Sequence, residues 1–83
     1  MRIDKFLKVS RLIKRRTVAN AACDAEKIEL NGRVVKPGTR VKVGDVISVT
    51  FKGEVSRYEV LSIQEHIRKE EAAAMYRRLD GEE

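Results

Sequence analysis

The chain is expected to fold as an α+β domain, with two N-terminal helices packed on a small, twisted, mostly antiparallel sheet, followed by a C-terminal helix. Three observations predict this. Apolar residues recur at helical spacing near the N-terminus. After Lys27 the apolar period switches to two, and turn residues separate the short runs. A helical stripe then returns in the tail.

The first helix rests on Ile3, Phe6 and Leu7. At about 100° per residue, Arg2, Lys5, Lys8 and Arg11 sweep the opposite side. Val9 and Leu12 leave that apolar face, so the helix should end near Ser10, and RLIKRR reads as a connector. Thr17 is a good N-cap for a second helix over VANAACDAE. There Val18, Ala22 and Ala25 share one face, where small side chains admit a neighbouring helix. Cys23 reads as a small buried hydrophobe. Ile28-Glu29-Leu30 and Arg33-Val34-Val35 flank Asn31-Gly32, a strong two-residue hairpin signal. Pro37-Gly38 makes a second turn, and Arg40-Val41-Lys42-Val43 alternates again. Gly44-Asp45 leads into the run Val46–Phe51, and Tyr58–Ile63 follows as a further strand. In the tail, Ala72, Met75, Tyr76 and Leu79 form a helical stripe, with Gly81 as the stop.

With 83 residues, the chain forms one domain at most, with a small core and no room for a buried substrate pocket of ordinary size. A single cysteine excludes an internal disulfide and fits a reducing cytoplasm. No run approaches the roughly twenty apolar residues of a membrane span, and no signal-peptide core follows Met1. A cytoplasmic location is expected. One Cys and one His, His66, leave no metal-ligand set. Neither GxxxxGK[ST] nor GxGxxG occurs. Glu65, Glu70 and Glu71 read as a solvated face that pairs with Arg68 and Lys69. The expectation is a protein with no catalysis, no cofactor and no metal.

Charge is the strongest functional signal. The first sixteen residues carry seven Lys or Arg against one acid, at helical spacing opposite an apolar face. Residues 1–52 hold thirteen basic and five acidic side chains, whereas residues 53–83 hold five and eight. So basic a first half calls for a polyanion, nucleic acid foremost. Lys14-Arg15-Arg16 stands directly before the second helix, where cations oppose the helix dipole by about 0.3–1 kcal/mol each. A phosphate would compensate by accepting backbone N–H groups and pairing with the guanidinium forks. Lys27 and Arg33 flank the hairpin and extend the expected patch, while Lys36, Arg40 and Lys42 read as solvated. Four aromatics are too few for a base-stacking platform. Recognition should therefore run through phosphates and the shape of folded RNA, and weaken steeply with salt.

Two other classes are compatible with these charges. One is an RNA-delivery subunit of an RNA-modifying enzyme, which would require a separate catalytic chain. The other is a membrane-surface or acidic-protein binder using the same basic helix, in which Ile3, Phe6 and Leu7 would have to face lipid instead of packing against Val18 and Ala22.

The motifs resemble a known family, the αL RNA-binding domain named after the fourth protein of the small ribosomal subunit. The resemblance is carried by Arg2-Ile3-Asp4-Lys5-Phe6-Leu7, Thr17, Ile28-Glu29-Leu30-Asn31-Gly32 and Gly44-Asp45-Val46-Ile47-Ser48-Val49. It covers about the first fifty residues. It implies an RNA-binding core over residues 1–52, with residues 53–83 adding a last strand and a C-terminal helix to the same domain. Glu26 stands where family members commonly carry Gly, and a side chain there resists a left-handed helix stop. Among short stand-alone members, KFLKVSRLIKRRT and KEEAAAMY look like the RqcP (YabO-like) group of ribosome quality-control factors.

That likeness implies a monomer that binds obstructed large ribosomal subunits, contacting large-subunit rRNA and peptidyl-tRNA. With an RqcH-type tailing factor it would support template-free alanine addition to stalled chains. A heat-shock-type factor that recycles large subunits carrying a stranded chain is the alternative within the family. The implied RNA contacts are Arg2, Lys5, Lys8, Arg11, Lys14, Arg15 and Arg16, with Lys27 and Arg33 at the edge. Arg2 and Arg16 are the foremost of them.

Overall fold

The computed structural model describes residues 1–79. Its elements run α1 (Ile3–Val9), α2 (Arg16–Asp24), β1 (Ile28–Leu30), β2 (Arg33–Val34), β3 (Val46–Phe51), β4 (Glu54–Val60), a 3-10 helix (Lys69–Met75) and β5 (Tyr76–Arg78). The five strands form one antiparallel sheet in the order β2-β1-β3-β4-β5. This is the α+β arrangement that the change of period predicted.

The core sits between the helices and one face of the sheet. Ile3, Phe6 and Leu7 of α1 are fully buried, as their spacing demands, and meet Ile28, Leu30, Ile47, Val60 and Met75. Burial of Phe6 and its neighbours removes the apolar stripe that a lipid-facing reading requires. On α2 the buried face is Ala19 and Cys23, whereas Val18 and Ala25 are exposed and Ala22 is half-buried. The helix is thus rotated from the face read in the sequence, because the small Ala19 and Cys23 let α1 approach closely. Burial, followed by the charges of Asp4 and Asp24, pushes the Cys23 thiol up to about 11, so it stays protonated at neutral pH. Arg15, not Thr17, is the N-cap of α2, and no side chain caps it.

Two of the family-like motifs are joined to each other. Asn31 donates from Nδ2 to Asp45 Oδ1 at 3.0 Å and accepts from the Val46 N–H at 2.9 Å. The other Asp45 oxygen takes the Lys42 N–H at 2.9 Å. The Asn31-Gly32 turn, with φ of 53° and 85°, is therefore locked to the start of β3. Arg40–Val43 forms no strand. Its backbone serves other partners, with Arg40 in a lone bridge to Arg2 and the Val41 N–H on Met1. β4 begins before Tyr58 and stops at Val60, since the two-residue Lys52-Gly53 turn brings the chain straight back along β3.

The tail helix is shorter and tighter than its stripe predicted. Lys69–Met75 is 3-10, which places Ala72 and Met75 one turn apart and buries both. Tyr76–Arg78 then extends and pairs with the open edge of β4. Pairing that edge satisfies backbone groups that a longer helix would leave bare. Tyr76 meets Tyr58 edge-on with ring centroids 5.4 Å apart. Gly81 lies outside the described residues. Glu65 pairs with Lys5 across the domain, not with the basic residues of its own segment.

Glu26 does adopt the left-handed stop, with φ of 63°. The Glu26 N–H reaches the Cys23 carbonyl at 3.0 Å and the Lys27 N–H reaches Ala22 at 2.9 Å, the paired bonds of a Schellman stop. A non-glycine residue is strained there, so Glu26→Gly should stabilise the domain by about 1 kcal/mol. An increase in the urea midpoint at unchanged slope would register it; a decrease would show that the Glu26 side chain contributes more than the strain costs.

Candidate nucleic-acid interface

One buried carboxylate organises the basic surface. Asp4 in the first turn of α1 is only 2% exposed. Its Oδ1 accepts from Arg2 Nε at 3.2 Å and Arg16 Nη2 at 3.3 Å. Its Oδ2 accepts from Arg2 Nη2 at 3.1 Å and Asn20 Nδ2 at 3.2 Å. Packing of α1 on α2 brings these four residues together: Arg2 precedes α1, whereas Arg16 and Asn20 lie one turn apart on α2. With Thr17 they line an open concavity of about 390 Å³.

The electrostatics favour an anion here. Two guanidiniums share one carboxylate, so the cluster keeps a net positive charge. Both arginine side chains remain about half exposed, at 48% and 45%, leaving N–H donors toward solvent. Holding both forks on a fixed acid removes rotamer freedom before any ligand arrives, which reduces the entropic cost of binding. The Arg2 guanidinium also lies over Gly38, whose added Cβ would stand 3.8 Å from it.

Burial pushes the Asp4 carboxyl up, but hydrogen bonds from Asn20, Arg2 and Arg16, with the Arg16 charge, outweigh burial and hold it below the ordinary 3.8. A carboxyl depressed in the folded state stabilises the fold above its unfolded pKa. That contribution disappears as pH falls through the folded value. Stability should therefore decline on acidification below about pH 4, and Asp4→Asn should flatten that part of the curve. Urea titrations of both proteins at neutral and acidic pH measure it; parallel curves would rule Asp4 out as the group responsible.

The other basic residues do not all join this cluster. Lys8 and Arg11 are exposed and line a second shallow concavity with Val9, Glu65, His66 and Ile67. Arg11 ends α1 in the left-handed region, with φ of 67°. Lys5 is half-buried and engaged by Glu65, whose carboxyl is lowered by that hydrogen bond. Lys14 and Arg15 are exposed on the connector, and Arg33 is exposed on β2. Lys27 lies elsewhere, beside Phe51 and Lys52 on the wall of a different groove. Asp4, Thr17 and Asn20 were not among the predicted site residues. Asp4 did give a signal: at about 100° per residue it sits roughly 60° from Leu7, an acid beside the apolar face of a basic segment.

The model of the S4 domain matches residues 1–47, which include both helices and the Asn31–Asp45 lock. The chain belongs to the S4 domain family. This is the family expected from the Arg2–Leu7 and Asn31-Gly32 motifs, and the Asp4 cluster lies within the matched residues. The S4 chain is similar to a protein of Halalkalibacterium halodurans called "RQC P-site tRNA stabilizing factor", with 50% identity over 92% of this chain and 86% of that one. A Bacillus subtilis protein with the same description is 47% identical over 92% of this chain and 88% of its own. These likenesses bear out the predicted membership of the RqcP group. Among solved structures, Vibrio cholerae heat shock protein 15, described as trimeric, superposes with a TM-score of 0.88 at 28% identity, covering 95% of this chain and 81% of that one. No helix among the described residues of this S4 protein is long and apolar enough to cross a membrane.

Proposed function

We propose that the protein is a non-catalytic, cytoplasmic ribosome-associated quality-control factor that steadies tRNA on the large ribosomal subunit. The observation that carries this reading is the pair of half-exposed guanidiniums, Arg2 and Arg16, held by the buried Asp4. Each would pair with an RNA phosphate. Lys8, Arg11, Lys14 and Arg15 extend the contact along α1 and the connector, and Lys5 joins once phosphate displaces Glu65. With one concavity at the start of α1 and the other at its end, the domain would bridge rRNA and peptidyl-tRNA and bias the tRNA position without making bonds. In this role it would support an RqcH-type factor in adding alanine to stalled chains. It acts there as a monomer.

Tagged protein in a sucrose gradient of lysate tests this reading. Accumulation on free large subunits that carry peptidyl-tRNA is the expected result, and migration only at the top of a low-salt gradient would contradict it. Accumulation on large subunits together with unchanged alanine tailing in a deletion strain would favour the heat-shock-type recycling role.

A further inference from the structure

A further concavity of the domain lies apart from the Asp4 cluster and shares no lining residue with it. It measures about 810 Å³ and lies between α2, the connector and the β3–β4 hairpin. Leu12, Ile13, Val18, Ala22, Val49 and Phe51 give it an apolar floor and walls. Phe51 is 69% exposed and Val18 52%, a costly display for so small a domain. The groove and the phosphate site lie on opposite flanks of one helix. At about 100° per residue, Arg16, Thr17 and Asn20 fall within a 100° arc of α2, and Val18, Ala21, Ala22 and Ala25 fill the arc on the far side.

We propose that this groove is a protein-docking surface for an amphipathic helix whose apolar stripe is flanked by acidic residues. Four properties select that occupant. The walls are concave, so they match the convex ridge of a helix rather than a flat bilayer. Ala21, Ala22 and Ala25 carry only methyl groups, which lets a second helix approach α2 closely. The rim bears Lys27 and Lys52, and no carboxylate among the described residues lines the groove, so flanking acids on the partner find cations. Lys52 is held in place over the Phe51 ring, 5.5 Å from its centroid. A second copy of this chain fits poorly: α1 is basic and buries its own apolar face, α2 carries no net charge and itself lines the groove, and the acidic 3-10 helix has already buried Met75 and Ala72 and exposes, of its apolar residues, only the small Ala73 and Ala74. RNA offers no apolar ridge to fill the floor. The domain thus has two working sides, and a protein partner is bound opposite the nucleic acid.

The test uses a labelled helical peptide with Leu at i, i+3, i+4 and i+7 and Glu on its flanks, and a counterpart with Lys in place of Glu. Fluorescence anisotropy should show the Glu peptide binding at least tenfold tighter than the Lys peptide. Val18→Glu and Phe51→Ser, both at exposed positions, should each weaken it at least tenfold while leaving the urea midpoint and large-subunit association unchanged. Equal affinity for both peptides, no binding of either, or undiminished binding by Val18→Glu would overturn the proposal. So would flotation on phosphatidylglycerol vesicles, or self-association in sedimentation equilibrium, that Val18→Glu abolishes, since either gives the groove another occupant. The peptide measurements contain no RNA, so failure of the RNA reading leaves them interpretable.

Discussion

Arg16→Ala is expected to reduce association with large ribosomal subunits by one to two orders of magnitude, and Arg2→Ala by a similar factor. The size follows from removing a charge-assisted hydrogen bond worth about 1.5–3 kcal/mol in each case. Neither change should unfold the protein. Asp4 keeps one guanidinium and the Asn20 amide in either variant, so the stability cost should be about 1 kcal/mol, somewhat more than an ordinary exposed side chain would carry. Asp4→Ala should behave differently, reducing stability and association together because both arginine forks are left without their anchor. Co-sedimentation with purified subunits, paired with urea unfolding of each variant, separates the two outcomes. Normal association by Arg16→Ala would move the phosphate site away from α2.

The second large effect is on the fold. Phe6 is fully buried at the centre of the α1 face. Phe6→Ala should cost about 3–5 kcal/mol through reduced burial and a residual cavity. A domain of this size has about 5 kcal/mol to lose, near the low end for native proteins, so the variant should be largely unfolded or aggregated at 37 °C. Far-UV circular dichroism against temperature measures it. Retention of a cooperative transition near that of the unmodified protein would mean that α1 packs less critically than its burial indicates.

Periodicity exposed the parts of this molecule that depend on local pattern. The α1 face, the Asn31-Gly32 hairpin, the long β3 run and the burial of Cys23 were all readable from neighbouring residues. What escaped depended on long-range partners. Arg40–Val43 alternates like a strand, but Met1, Arg2 and Asp45 take its backbone groups. The tail stripe reads as a helix, yet the bare edge of β4 draws Tyr76–Arg78 into the sheet. On α2, helix spacing alone did not distinguish the Val18 face from the Ala19–Cys23 face, because nearly every residue there is small. At the site, basic residues were legible as a charge excess, and Arg2 and Arg16 as its foremost members. Their anchor was not, because Asp4 gains meaning only once α2 folds over it. Glu26 is the converse case: the conflict was visible in sequence, and the fold accepts the strain to keep the Schellman stop.

Counterion release measures directly whether the Asp4-held arginines meet RNA phosphates. The affinity of the protein for purified large subunits should be determined across a range of salt concentrations, for the natural chain and for Arg16→Ala. The logarithmic slope should become shallower by about 0.7–1 for the variant, the change expected when one fewer phosphate is neutralised, with the unfolding free energy within about 1 kcal/mol of the original. Superimposable salt lines with equal affinities would contradict the claim, because Arg16 would then neutralise no phosphate.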